Sequence, residues 1–149
     1  MTETETRMDY ATAYLADHPA YIEEVGYLKY RQWLHTSPDR PYEVWIEEIR
    51  QSARKEGFPM TLIALQEREL LGFVTLIELE GHAGIEDGLW LITLYVKAEY
   101  RCQGIGTALI ERYIEEAARF DHPVLYLWTE SPVLPGYYER RGWRRVGRD

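Results

Sequence analysis

Leu91-Ile92-Thr93-Leu94-Tyr95-Val96-Lys97-Ala98-Glu99-Tyr100-Arg101-Cys102-Gln103-Gly104-Ile105-Gly106-Thr107-Ala108-Leu109-Ile110 runs an apolar strand, a glycine-bearing turn and an amphipathic helix together without a spacer. That order builds a phosphate cradle. Gly104 and Gly106 carry no Cβ, so the backbone can turn sharply there and come close to a ligand. The first N–H groups of the following helix have no acceptor within it, and the helix dipole is positive at that end. With Arg101 beside them, these donors favour an anion at one place. Two glycines before a helix also serve as an ordinary strand-to-helix turn, so the inference rests on their spacing. A P-loop would need Lys-Ser/Thr after its last glycine, and a dinucleotide fingerprint would need Gly-x-Gly-x-x-Gly. Neither is present.

Outward from this stretch the chain alternates between the two periodicities. Residues 104–120 form the best-defined helix, with Ile105, Leu109, Tyr113, Ile114 and Ala117 on one face and Glu115 placed to support Arg119 one turn later. Asp121-His122-Pro123 ends it. Residues 124–129 are almost wholly apolar, as expected for a central strand buried on both faces. Residues 89–129 therefore read as a βαβ unit with parallel strands. Before it lie two strands, 60–66 and 70–80, joined as an antiparallel hairpin by Glu67-Arg68-Glu69. Residues 81–88 are expected to form a longer, acidic loop. A short first strand is expected at 10–15, and a tyrosine-rich helix at 21–34 through Val25, Tyr27, Leu28, Tyr30 and Leu34. Ser37-Pro38-Asp39-Arg40-Pro41 breaks that helix. A second follows over 42–55, with Trp45, Ile49 and Ala53 on one side and Gly57 as its stop. Residues 1–9 are polar and are expected to fray. No repeat, low-complexity tract or linker divides the chain, so 1–149 reads as a single domain of mixed α/β (α+β) class.

Composition narrows the function. With 46% hydrophobic and 28% charged residues the chain reads as globular. The net charge of -8 argues against a general nucleic-acid binder and mildly favours a cationic partner such as an amine. Against that trend, residues 139–149 hold five arginines and two carboxylates, a net of +3. Such a cluster reads as a solvated face, a homodimer contact or a site for an acidic ligand. Cys102 is the only cysteine, which rules out an internal disulfide and a cysteine metal cluster. Its place in the turn matters through its backbone. His18, His35, His82 and His122 show no metal-type spacing, and no metal is expected. Apolar runs such as Leu89-Trp90-Leu91-Ile92 are too short to cross a bilayer, and the acidic N-terminus lacks a signal core, so a cytoplasmic protein without membrane contact is expected.

The spacing Arg-x-x-Gly-x-Gly at Arg101, Gly104 and Gly106, behind Leu94-Tyr95-Val96, resembles the Gln/Arg-x-x-Gly-x-Gly/Ala signature of the GNAT acetyltransferase superfamily. Tyr137-Tyr138-Glu139-Arg140-Arg141-Gly142-Trp143 is similar to that superfamily's Tyr-x-x-x-Gly-Phe segment. The resemblance implies a GNAT fold, a central mixed twisted sheet with helices on both faces. It also implies acetyl-coenzyme A as cosubstrate and a primary amine of a small molecule or peptide as acceptor, by direct transfer. The main chain of Leu94, Tyr95 and Val96 would pair with the pantetheine arm like an added strand. The turn Arg101, Cys102, Gln103, Gly104, Ile105, Gly106 and Thr107 would hold the pyrophosphate. Tyr138 aligns with a tyrosine that serves as general acid toward the departing thiolate.

Two departures stand beside the match. Many members carry a Glu on the strand before the turn, whereas 89–96 contains no carboxylate and has Trp90 near that place. Glu78, Glu80, Glu86 and Asp87 are the nearby carboxylates that could act through a water. The Asn that often precedes the tyrosine helix is absent, with Thr129 or Ser131 in its stead. Members also continue through a further strand, so the resemblance implies a last strand that is absent, shortened or supplied by a partner subunit. A non-catalytic acyl-coenzyme A sensor is the alternative reading, and an interaction subunit that keeps the fold for assembly is a third. The sequence names neither the acceptor nor the general base.

Overall fold

Alternation along residues 60–96 produces the sheet on which everything else packs. The computed structural model describes residues 10–79, 88–122 and 124–127. Within these, β1 (Ala11–Tyr14), β2 (Met60–Gln66), β3 (Glu69–Leu79), β4 (Gly88–Val96) and β5 (Leu125–Leu127) lie in the order β1-β2-β3-β4-β5. The first three pairings are antiparallel and the β4–β5 pairing is parallel, which makes the sheet mixed as expected. Two strands carry one extra residue each, Leu71 in β3 and Ile92 in β4, where the register shifts by one.

Because strand side chains alternate, each face of the sheet has its own helical cover. α3 (Ile105–Arg119) lays Ile105, Leu109, Ile110, Tyr113 and Ala117 over Leu62, Val74, Leu76, Leu89 and Leu91. On the other face α1 (Ile22–Trp33) and α2 (Tyr42–Gln51) bring Val25 and Ile49 against Leu15, Ile63, Leu70 and Phe73. Fully burying side chains of this size contributes roughly 1.5–3 kcal/mol each, which makes these two layers the main stabilising term. Glu116 is the one charged residue among those buried here, 4% exposed. It accepts from Tyr14 Oη at 2.7 Å and from Arg119 Nε at 3.0 Å, and so ties β1 to α3.

Several element boundaries differ from the sequence reading. The first strand spans four residues within the expected 10–15. α2 ends at Gln51, not at 55. Ser52 Oγ donates to the Ile49 carbonyl at 2.7 Å, and the Thr61 N–H donates to the Ser52 carbonyl at 2.9 Å, so the chain is captured by β2 before another turn can form. The hairpin turn is Glu67-Arg68 alone, because Glu69 already pairs with Gln66. In α3, Ile114 is 46% exposed and Ile110 is buried in its stead. Ile114 sits about 100° around the helix from Tyr113, at the margin of the apolar stripe. Arg119 pairs with Glu116, three residues before it, and Glu115 lies 3.9 Å from Arg112. β5 is half-buried over its three described residues, and Val124 is 54% exposed. Residues 128 and 129 lie outside the described residues, as does the C-terminal segment where the last strand was expected to be absent or shortened.

Candidate functional site

The candidate site is a turn between two rigid elements. β4 is held by β3 along its length, and Lys97 continues the ladder by donating its N–H to the Leu71 carbonyl at 2.9 Å. The Lys97 ammonium sits between Glu24 at 2.8 Å and Glu69 at 3.0 Å, which fixes the end of β4 to α1 and β3. Burial opposes its charge, yet hydrogen bonds to both carboxylates more than offset that, and its pKa is raised. A single helical turn, Ala98–Tyr100, then leads into Arg101.

Each signature residue takes a distinct part in the turn. Arg101 Nε donates to the Val96 carbonyl at 2.8 Å, and its guanidinium lies 5.7 Å from the centre of the Tyr95 ring. This anchors the side chain at the strand end while keeping it exposed. Cys102 is exposed and has φ of 64°, so its backbone makes the bend. Gln103 Nε2 donates weakly to the Glu99 carbonyl at 3.4 Å. Gly104 stands at the N-cap of α3 with φ of 87°, in the left-handed region that suits glycine. Its carbonyl accepts the Ala108 N–H at 3.0 Å, which is the opening bond of the helix, and Tyr10 Oη donates to it at 3.2 Å.

Gly104, the N-cap of α3, has no side chain with which to cap the helix, and the first turn contains no acidic residue. The N–H groups of Ile105 and Gly106 therefore lie at an electropositive helix end beside Arg101. Ile105 is 1% exposed and locks this end into the core. Thr107 lies one residue further along the same first turn. A Cβ on Gly106 would come 3.9 Å from Val96 Cγ2 and 4.0 Å from Leu94 Cδ2. Leu94 and Val96 thus line the strand side of the turn, whereas Tyr95 turns to the other face, 5.7 Å from the Phe73 ring.

The edge of β4 completes the geometry. β5 pairs with the first part of that strand, Leu89 with Leu125, Trp90 with Tyr126 and Leu91 with Leu127. From Ile92 to Val96, the edge of β4 that faces away from β3 has no strand partner among the described residues. The Tyr113 hydroxyl sits beside this junction, 2.8 Å from the Leu89 carbonyl and 2.7 Å from the Tyr126 carbonyl, and it accepts the Tyr126 N–H at 3.1 Å. Burial pushes this phenol well above the usual tyrosine range, so it stays protonated and holds α3 against both strands. An extended ligand along the part of the β4 edge that has no partner among the described residues would place an anionic group at the start of α3.

The carboxylate candidates fare differently. Glu78 pairs with His122 Nε2 at 2.8 Å, on the α3 face of the sheet. That contact engages it away from the α1–α2 face. Trp90 is 8% exposed and stacks on Tyr126 with ring centres 4.8 Å apart. Glu80, Glu86, Asp87, Thr129, Ser131 and Tyr138 lie outside the described residues. No group of three metal-ligating side chains occurs among the described residues, and no described helix is long and apolar enough to cross a membrane. Sequence reasoning read Tyr113 only as a packing residue; its hydroxyl bonds carry no local signal.

A family model described as acetyltransferase (GNAT) family matches residues 13–143. No curated protein sequence is significantly similar to the chain. Solved structures share the fold. An aminoglycoside acetyltransferase from an uncultured soil metagenomic sample is 21% identical, with a TM-score of 0.70 over 95% of this chain and 96% of its own. An aminoglycoside N-acetyltransferase solved in complex with CoA is 15% identical, with a TM-score of 0.74 over 96% and 91%. A transcriptional regulator from Bacillus halodurans C-125 is 15% identical, with a TM-score of 0.74 over 95% and 97%.

Proposed function

Because the chain belongs to the acetyltransferase (GNAT) family, we propose that it transfers the acetyl group of acetyl-coenzyme A to a primary amine of a small molecule or peptide. The observation that carries this reading is the glycine N-cap of α3 at Gly104, set beside a β4 edge without a strand partner among the described residues. Residues Arg101 to Thr107 would hold the pyrophosphate, with Arg101 and the first helical N–H groups as donors. The main chain of Leu94, Tyr95 and Val96 would pair with the pantetheine arm. The amine nitrogen attacks the thioester carbon, the C–S bond breaks, and the thiolate takes a proton from Tyr138. A phenol with a reference pKa of about 10 can make that donation at neutral pH. The proton released by the amine passes to water.

The CoA complex of a structural neighbour supports the coenzyme, and two neighbours named as aminoglycoside acetyltransferases support an amine as acceptor. The absence of a carboxylate from β4 favours a second reading, a sensor that binds acyl-coenzyme A without turnover. Calorimetric titration with acetyl-coenzyme A, beside adenosine-only controls, tests the coenzyme site. Binding that needs the pantetheine arm supports it, and no binding removes it. Release of free coenzyme thiol in the presence of amines then separates enzyme from sensor. Tyr138→Phe is expected to lower turnover about tenfold or more with nearly unchanged coenzyme affinity. An unaltered rate would return Tyr138 to a packing role.

A further inference from the structure

A row of hydroxyls crosses the sheet on the face covered by α1 and α2. Thr61 stands across from Thr75, and Thr75 across from Thr93, so the three side chains point to one face. Their hydrogen bonds have a fixed direction. The Ile49 carbonyl can only accept, so the Ser52 proton is committed to it at 2.7 Å. The 2.7 Å contact between Ser52 and Thr61 then uses the Thr61 proton, and the 2.9 Å contact between Thr61 and Thr75 uses the Thr75 proton. The row stops there. Thr93 Oγ1 is buried without a hydrogen-bond partner among the described residues, in a residue that is 8% exposed.

Burying a hydroxyl without a partner costs free energy, and valine would fill nearly the same shape without that cost. The position also has meaning for the site. Thr93 follows the extra residue Ile92, just beyond the last β4–β5 pair. α3 packs on one face of the sheet, so an acceptor attacking a thioester held along β4 would approach from the side of α1 and α2. Trp45 Nε1, the other buried side-chain atom without a partner among the described residues, belongs to α2 on that same side.

We propose that Thr93 is a binding residue for the acceptor, its hydroxyl oxygen accepting an N–H of the incoming amine. The nitrogen attacks through its lone pair, so N–H is what it can offer the protein. Thr93 orients the nitrogen and takes no proton. The proposal rests on the acetyltransferase reading, and its test keeps the two apart.

Wild type, Thr93→Val and Thr75→Val are compared in three measurements: thermal midpoint without ligand, affinity for acetyl-coenzyme A, and release of coenzyme thiol with hydroxylamine as a small acceptor. For Thr93→Val the expected result is a midpoint raised by about 3 °C, unchanged coenzyme affinity and a hydroxylamine-dependent rate lowered about tenfold. Thr75→Val, which breaks the row, is expected to lower the midpoint. A lowered midpoint for Thr93→Val would mean that the hydroxyl has a structural partner, and an unchanged rate would make it a packing defect. Either result overturns the proposal. If wild type itself fails to bind the coenzyme or to release thiol, the acetyltransferase reading fails instead.

Discussion

At Gly104 the backbone has φ of 87°, and an added Cβ would meet only Tyr10 Oη at 3.9 Å. Conformation, not space, therefore requires glycine there. Gly106 is the reverse case, with ordinary helical backbone and room for a Cβ beside Val96 and Leu94. The two glycines should separate by experiment. Gly104→Ala is expected to lower stability by about 1 kcal/mol, read from the urea midpoint. Gly106→Leu is expected to leave that midpoint nearly unchanged while weakening acetyl-coenzyme A at least about tenfold by calorimetry, roughly 1.4 kcal/mol. Equal affinity would remove the cradle from this turn. Both glycines were legible because the turn is local in sequence. The engagement of Glu78 was not, because its partner His122 comes from beyond the far end of α3.

Among the elements, α3 does more than cover the sheet. Tyr113 passes its hydroxyl between β4 and β5, and it is fully buried. Tyr113→Phe leaves the Tyr126 N–H and a strand carbonyl without this partner. The expected cost is about 2 kcal/mol, seen as a thermal midpoint lower by about 6 °C and faster hydrogen exchange at the Tyr126 amide. An unchanged midpoint would show that the hydroxyl is dispensable to the β4–β5 junction. Helix and strand types followed from periodicity, since apolar spacing near 3.6 or 2 depends only on neighbours in sequence. Ends were harder to read. α2 stops at Gln51 because Ser52 is engaged by Thr61, a residue nine positions later on another element.

For the whole molecule, the titrating lysines and tyrosines set the alkaline limit. Burial lowers the pKa of Lys29, with Glu48 acting against that and Arg40 with it. A lowered lysine penalises the folded state below its folded pKa, and the penalty fades as pH rises toward the unfolded value of about 10.4. Tyr113 and Lys97 are raised, so their contributions are present below the unfolded values and are lost as pH rises through the folded ones. Stability measured by urea unfolding should therefore fall above about pH 10 in wild type, and Tyr113→Phe should flatten that fall. Lys29→Met should stabilise near pH 7 and lose its advantage toward about pH 10; a constant advantage would mean that charge burial is not its cause. The sequence by itself determined the family signature, the βαβ order and the glycine turn ahead of α3, because each depends on residues close along the chain. Only the tertiary structure decided that, among the described residues, the β4–β5 pairs run from Leu89 to Leu91, Glu78 is engaged on the α3 face and Thr93 ends a hydroxyl row unpaired. Those facts depend on which atoms meet across the sheet, and strand register and helix placement fix that through packing over the whole core.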